Sequence, residues 1–499
     1  QGRTKPVNTL ASDIMRKISR KSKIAGMNPT QFFLEMHINP QNLIHIPFIK
    51  VGNDRVQNFI GIKTNYATYT DIVQRGKGYK LGGMVENVYA KSPAERDKAD
   101  KEVIKVDERV NICYGLFTNR FLRIFPAKDS AIDKWQTPDN AWKYAQNPED
   151  SAFLKDVIGV YFQELQNAKK TGNYTQAKEI LDGIKKYQRS HAQYELPSES
   201  KIDLELTYYR WNIFKKLFPF YATVGLVYLF ILVGAIISGK NLNLWINRSF
   251  LLLILIGFIA HTAGLAIRWY ISGHAPMSNG YESMIFVSWV TILAGFIFNR
   301  YSPFSLSATA ILGGFTLMVA NLSFMDPQIT NLVPVLKSYW LTLHVSIITG
   351  SYGFLGLGAI LGIINQVLFM LQNKKNKNRI TETIESLTVI NHKTLILGVI
   401  FLTIGTFLGA VWANESWGRY WGWDPKETWS LITILVYTIV THARLVKDMK
   451  GVFIFNILSV YAFFGTSQLC WWRSGANPGL CICQHWYIDN TLTIIVDKP

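Results

Sequence analysis

Ser249-Phe-Leu-Leu-Leu-Ile-Leu-Ile-Gly-Phe-Ile-Ala-His261-Thr-Ala-Gly-Leu-Ala-Ile-Arg268 is the stretch whose reading decides the fold. It carries no charge between Arg248 and Arg268. A helix rises 1.5 Å per residue, so about 20 apolar residues cross the hydrocarbon core of a bilayer. Runs of this kind recur from Leu217 onward. They predict spans near 217–238, 249–270, 281–299, 303–323, 338–371, 394–413, 427–446 and 452–470. The fifth is overlong, which implies a tilt or a helix that continues beyond the bilayer. The expected architecture is a mostly α polytopic bundle of about eight transmembrane helices.

The rest of the chain is different. Of 499 residues, 49% are hydrophobic and 17% charged, with a formal net charge of +18. A mean hydropathy of +0.11 averages two unlike halves. Residues 1–216 hold 35 Lys+Arg and 24 Asp+Glu, leaving 17 and 10 for the longer remainder. The apolar content excludes a disordered chain, and the length excludes a small disulfide scaffold. The division expected is a soluble domain over 1–216, a membrane domain over 217–470 and an atypical tail over 471–499.

Loop charges orient the bundle. One set of connections carries Lys240 and Arg248, then Arg300, then Lys374, Lys375, Lys377 and Arg379, then Arg444, Lys447 and Lys450. The alternate set carries only Arg268, Lys337, Arg419 and Lys426. The positive-inside bias puts the richer set in the cytoplasm. Residues 1–216 and the tail then fall outside, since long domains translocate largely regardless of charge. Gln1-Gly2-Arg3-Thr4-Lys5-Pro6 has no apolar core of a signal peptide. An exported domain with no exporting segment ahead of it leads us to expect a preceding helix outside this sequence.

The soluble half reads as an α+β or mainly helical domain. Asn8–Arg20 and Thr30–Met36 have helical patterns, with Ser12 or Asp13 and Asn28-Pro29 as start signals. Residues 42–63 alternate in short strand-like pieces. Residues 151–188 resemble a helical hairpin broken at Thr171-Gly172-Asn173. No metal-ligand spacing, phosphate loop or nucleophile motif occurs there, and the expected role is docking. The basic surplus suits acidic lipid heads or an acidic partner. No nucleic-acid partner is expected.

The informative loop is Trp412-Ala-Asn-Glu-Ser-Trp417-Gly-Arg419-Tyr-Trp421-Gly-Trp423-Asp424-Pro-Lys-Glu427-Thr-Trp429, between the sixth and seventh spans. An interfacial aromatic belt needs one or two Trp per helix end. Five within residues 412–429, interleaved with Gly418 and Gly422, exceed that need. Indoles offer flat apolar faces with an N–H at the edge, and glycines admit close backbone approach. Arg419 and Lys426 suit carboxylates at a ligand's rim. Asp424 and Glu427 suit either those cations or the loop itself. A planar amphipathic macrocycle with acidic arms fits this list, and haem is the obvious one.

Trp417-Gly-x-x-Trp421-x-Trp423-Asp424-x-x-Glu427 resembles the WWD signature of the haem-handling proteins of cytochrome c maturation. Arg268-Trp-Tyr-Ile-Ser-Gly-His274-Ala-Pro-Met-Ser-Asn-Gly-Tyr-Glu282-Ser is similar to the corresponding segment of the CcsA branch (System II). The likeness covers about 217–465. Residues 1–60 resemble the extracytoplasmic linker of fused forms that join a CcsB (ResB-like) part to CcsA. The resemblance implies haem b as the bound group, with apocytochrome c, a fused or separate CcsB part and a thiol-reducing thioredoxin-like protein as partners. It also implies an inner (cytoplasmic) membrane location, with the soluble domain, the tryptophan loop and the tail outside. Haem would pass through the bundle to the outer loop, where thioether bonds form with Cys-x-x-Cys-His motifs. No side chain of this protein then needs to act as a nucleophile.

Position sorts the histidines, since an ionisable group within a membrane is a functional candidate by default and imidazole is a common axial ligand. His344 lies near the outer end of the fifth span, on the side of the tryptophan loop, and by the resemblance is an external axial ligand. His442 follows the loop, toward the inner end of the seventh span, and matches the family's transmembrane ligand. His261, mid-span, is the candidate for its partner, although fused synthases often draw that ligand from the CcsB part. His274 is expected to shape the outer loop.

The tail departs from the family. A second external His usually follows the last span, but after Gly465 the chain runs to Cys470-Trp-Trp-Arg and Cys481-Ile-Cys483-Gln-His485. A reading-frame slip in the source sequence would account for this, and otherwise His485 is the available substitute. Cys481, Cys483 and His485 make only a weak soft-metal pattern. Two rival functions stay open at this stage. One is a haem exporter or chaperone that passes haem to a separate ligase; the other is a cofactor-free channel whose Trp are only interfacial.

Overall fold

The computed structural model describes residues 3–474, apart from 75–77, 94, 128–134, 146, 193–195, 241, 323–324, 333–337 and 450. Cys481, Cys483, His485 and Lys337 therefore lie outside the described residues. The chain separates into two units, up to Leu206 and from Thr207 onward.

The first unit is mainly helical. Helices Val7–Ser19 and Pro29–Ile38 form where the periodicity predicts them. Asn28 closes a capping box: its side chain accepts from the Gln31 N–H, and the Gln31 side chain accepts from the Asn28 N–H. Met15, Ile18, Phe32, Phe33 and Phe48 are fully buried there with Val103 and Val106 of helix Lys98–Phe117. The hairpin is Pro148–Thr171 and Thr175–His191, turned at Gly172 with φ +77°. The strand-like reading of 42–63 is largely replaced. Only Ile49–Lys50 is a strand there, paired antiparallel with Tyr66–Ala67, while Asp54–Ile60 is a helix capped by Asn53. Val56, Gln57 and Ile60 are buried while Asn58 is exposed, and that helical face overrides the alternation.

Among its described residues, the second unit from Ile213 onward is a bundle of eight consecutive α-helices. We number them first to eighth: Ile213–Ser238, Leu244–Ser272, Gly280–Asn299, Pro303–Ala320, Tyr339–Met370, Lys377–Trp417, Pro425–Ala443 and Val452–Ser474. Six of the eight expected spans are long and apolar enough to cross a membrane, which makes this a multi-pass membrane protein. The seventh opens on the polar turn Pro425-Lys-Glu-Thr428, and the apolar stretch of the eighth is described over Val452–Thr466. The fifth and sixth helices pack along their length as an antiparallel pair. Asn365, Thr388, Asn391 and Asn456 join the fifth, sixth and eighth helices by buried side-chain hydrogen bonds.

Two boundaries differ from expectation in ways that matter to the site. The sixth helix runs through Trp417, so Trp412 and Trp417 are helical, and only 418–424 is irregular between the sixth and seventh helices. Arg268 is not a loop cation. The second helix continues past it to Ser272, and its side chain is fully buried, 2.6 Å from the equally buried Glu282. Neutralisation by Glu282 permits a charge at that depth, which an apolar-run count takes for a span end.

Candidate functional site

The site is built around the fifth and sixth helices. The His344 ring turns toward the sixth helix, where its Nδ1–H donates to the Gly405 carbonyl at 2.6 Å. A carbonyl only accepts, so Nδ1 holds the proton and Nε2 keeps its lone pair. Space for the ring comes from Gly409: a Cβ there would lie 2.5 Å from His344 Cε1 and 2.7 Å from Nδ1. On the neighbouring faces of the same turn, Leu341 and Val345 pack on Trp412, with Met277 against them. Ser338 Oγ donates to Glu415 Oε2 at 3.4 Å, which keeps the start of the fifth helix beside the last turns of the sixth.

Aromatic side chains gather at this end. Trp412 and Trp417 meet edge to face with centroids 4.7 Å apart, and Trp421 and Trp423 do so at 5.8 Å. Trp412 is 9% exposed, and its Nε1–H has no acceptor among the described residues. By contrast Trp417 is 52% and Trp423 71% exposed, so their indole faces are available. Trp423 also has φ +56°, a left-handed conformation that a bulky residue adopts at a cost of about 1–2 kcal/mol. Trp429 is half-buried in the first turn of the seventh helix.

The polar residues of the loop hold the loop. Asp424 caps the seventh helix, its Oδ1 accepting from the Lys426 and Glu427 N–H groups, both at 2.8 Å. Glu427 Oε2 accepts from the Gly422 N–H at 2.7 Å. Arg419 folds onto Gly422, where a Cβ would lie 2.5 Å from its Cζ. A side chain at 422 would therefore displace the guanidinium of the exposed Arg419. These bonds fix the exposed indoles of Trp417 and Trp423 in place.

The other two histidines do not join this site or each other. His261 is fully buried on the second helix; its Nε2–H donates to the Ile285 carbonyl at 3.0 Å, and Phe214 and Tyr221 enclose the ring. His442 is exposed near the end of the seventh helix, its Nδ1–H donating to the Thr438 carbonyl at 2.8 Å. The second helix packs on the first, third and fourth, the seventh on the sixth and eighth. His274 lies in the segment between the second and third helices, with Nε2 3.0 Å from the Thr330 carbonyl.

A cavity of about 420 Å³ lies beside the start of the fifth helix. The 272–278 segment, Asn331 and Leu332, and Leu341, Thr342 and Val345 of the fifth helix line it. No group of three or more His, Cys, Asp or Glu suited to a bare metal ion occurs among the described residues. Sequence reasoning missed Gly405, Gly409 and Glu282. Glycines on the sixth helix at the spacing 405 and 409 were the available signal for a close-packed face.

By sequence, this membrane helix bundle with an imidazole and an indole cluster at one end falls in the class of cytochrome c assembly proteins. The family described as Cytochrome C assembly protein matches residues 277–470. The chain is 40% identical over 463 residues to Protein NrfI of Wolinella succinogenes, a match covering 93% of this chain and 51% of the other. It is 41% identical over 197 residues to Cytochrome c biogenesis protein CcsA of Chlamydomonas reinhardtii, covering 38% and 55%. Against the CcsA of Guillardia theta it is 38% identical over 216 residues, covering 39% and 71%. The chain belongs to the CcsA-type cytochrome c biogenesis family. It spans about half the length of NrfI and of the Chlamydomonas protein.

Proposed function

We propose that this protein binds haem b at the end of the bundle formed by His344 and Trp412–Trp429, and promotes its covalent attachment to an apocytochrome c. One observation carries this reading. The Nδ1–H bond to Gly405 fixes the tautomer of His344 that leaves Nε2 free for iron, and iron-binding imidazoles are oriented by such bonds. The residues fit haem in two further ways. Among the described residues Trp412 keeps a buried N–H without an acceptor, and Trp417 and Trp423 present exposed indole faces on which a flat macrocycle can stack.

In this reading Asp424, Glu427 and Arg419 act through the loop. They hold Trp417, Trp421, Trp423 and Trp429 in one arrangement, so that orientation is settled before the substrate arrives. Haem supplies two vinyl groups, and each cysteine thiol of a Cys-x-x-Cys-His segment adds its S–H across one C=C bond, with no net redox change. His344 holds the metal side while the segment's own imidazole approaches. His442, with Nε2 not engaged by Thr438, serves as a ligand nearer the opposite end of the bundle. His261 already spends one ring nitrogen on Ile285, which leaves Nδ1 as its only coordinating atom.

The family supports an inner-membrane location, with the tryptophan loop on the extracytoplasmic side, and a CcsB-like part and a thiol-reducing thioredoxin-like protein as partners. The test is co-expression with an apocytochrome. The wild-type chain should carry a Soret band and yield covalent haem product, and His344→Ala should lower both. A His344→Ala chain with unchanged haem and product would end the proposal. Haem bound without product would favour a haem exporter or chaperone instead.

A further inference from the structure

We propose that the cavity beside the fifth helix is a docking site for an uncharged, extended stretch of polypeptide. This rests on the reading above, in which an apocytochrome is the substrate, and it names where that chain lies. At about 420 Å³ the cavity falls within the ordinary range of ligand sites. Among the described residues no Asp, Glu, Lys or Arg lines it, and both ring nitrogens of its histidine, His274, face the Ala275 and Thr330 carbonyls, so these side chains offer no free cation to a phosphate or a propionate. Nor is it the lining an acyl chain would select. Asn331, whose amide has no hydrogen bond among the described residues, and Thr342 stand beside Leu332, Leu341 and Val345. An amide that both donates and accepts matches a peptide group, and the apolar neighbours match small neutral side chains.

The walls are held open from behind. Arg268 and Glu282, both without exposure, are paired at 2.6 Å. The other oxygen of Glu282 accepts from the N–H and the hydroxyl of Ser278, each at 2.7 Å, in one wall. Arg268 donates to the carbonyls of Pro327 at 2.8 Å and Gln328 at 3.1 Å, in the segment that carries Asn331 and Leu332 in the other. Burying an ion pair is costly, and apolar residues would close the gap with less penalty. This pair instead fixes two loops around a space that neither fills. Preorganisation of that kind raises affinity for an extended chain, which otherwise pays for ordering the site as well as itself. The position suits the chemistry too, because Leu341 and Val345 line the cavity and also pack on Trp412, on the turn that carries His344.

The experiment is photo-crosslinking to the full chain in detergent. The probes are synthetic peptides, Cys-x-x-Cys-His and Ser-x-x-Ser-His, each flanked by neutral residues and carrying a benzophenone just before the motif. Cross-links from both should map to 272–278, 331–332 and 341–345, since the cavity reads backbone and not thiol. Thr342→Trp on the helix and Leu332→Trp in the loop should each cut the yield by about tenfold or more, with the Soret band unchanged. Cross-links mapping elsewhere, or unaltered in both Trp variants, would overturn the inference. So would loss of the Soret band in both variants with cross-linking intact, which would give the cavity to haem. The two readings fail separately: a chain that cross-links here but holds no haem refutes only the proposed function. One that makes product without these cross-links refutes only the docking site.

Discussion

Gly409→Ala tests the His344 geometry without touching the imidazole or the tryptophans. A methyl group at 409 would start 2.5 Å from His344 Cε1 and 2.7 Å from Nδ1, where ordinary contact begins at 3.4 Å. The sixth helix is anchored on both sides of this point, so the ring must yield, by about 0.9 Å. That movement breaks the 2.6 Å bond from Nδ1–H to the Gly405 carbonyl, which sets both tautomer and ring plane. The bond itself contributes only about 0.5–1.5 kcal/mol to stability. Its larger effect falls on the metal: losing such an outer partner costs typically about 10–100-fold in affinity. A displacement near 1 Å in the reacting geometry costs on the order of 100-fold in rate. We therefore expect a folded protein of near-normal yield, with haem content reduced and its spectrum shifted toward weaker axial ligation. The assay is haem titration of the purified chain with absorption spectra of both oxidation states, alongside covalent product formation. Wild-type affinity, spectrum and product in Gly409→Ala would refute the claim that the Gly405 and Gly409 face prepares His344 as a ligand.

Four further outcomes follow from contacts described above. Asp424→Ala removes the cap that accepts two N–H groups and should cost about 1 kcal/mol of local stability, seen as earlier unfolding of the loop by tryptophan fluorescence. Glu427→Gln keeps an acceptor for the Gly422 N–H, so it should retain more haem than Glu427→Ala; equal losses would assign the carboxylate a direct charge role. Arg268→Met or Glu282→Gln alone strands a buried charge or its donors and should cost about 3–5 kcal/mol in thermal unfolding, while removing both charges together should cost less than either. In the first unit, burial pushes the Cys113 thiol up from its ordinary range, so iodoacetamide at pH 8 should label it only after denaturation, by peptide mass spectrometry.

The membrane half was legible because its rule is one-dimensional. A helix in lipid satisfies its own backbone, so length and apolarity locate it from the sequence. The reading failed where three-dimensional pairing changes the cost of a polar residue. Arg268 was counted among the loop cations, yet it is buried against Glu282 fourteen positions away, and no local pattern links them. The tryptophan signature was legible as composition, but the continuation of the sixth helix through Trp417 was not, since Trp, Asn and Glu also suit a loop. The soluble half was harder still. Residues 54–60 satisfy a two-residue alternation nearly as well as a helical period, and burial of Gln57 with Val56 and Ile60, while Asn58 is exposed, decides for the helix.

The acidic residues of the tryptophan loop illustrate how a motif's chemistry and its geometry separate. By type, Asp424 and Glu427 suggest groups that meet a ligand or its counter-charges. In the structure both oxygens named above are spent on backbone N–H groups, within a stretch where Gly418 and Trp423 already occupy left-handed conformations. Such a backbone persists only when its surroundings over-determine it. The carboxylates supply that constraint, and what they constrain is the loop that carries the exposed indole of Trp423. A loop of the same composition without those bonds would keep its aromatic surface and lose its aim. Under the proposed function, the motif therefore couples residues that would touch haem to residues that need not. It follows that substitutions at 424 and 427 should act on haem through loop order, and that restoring an acceptor without charge should restore much of the binding.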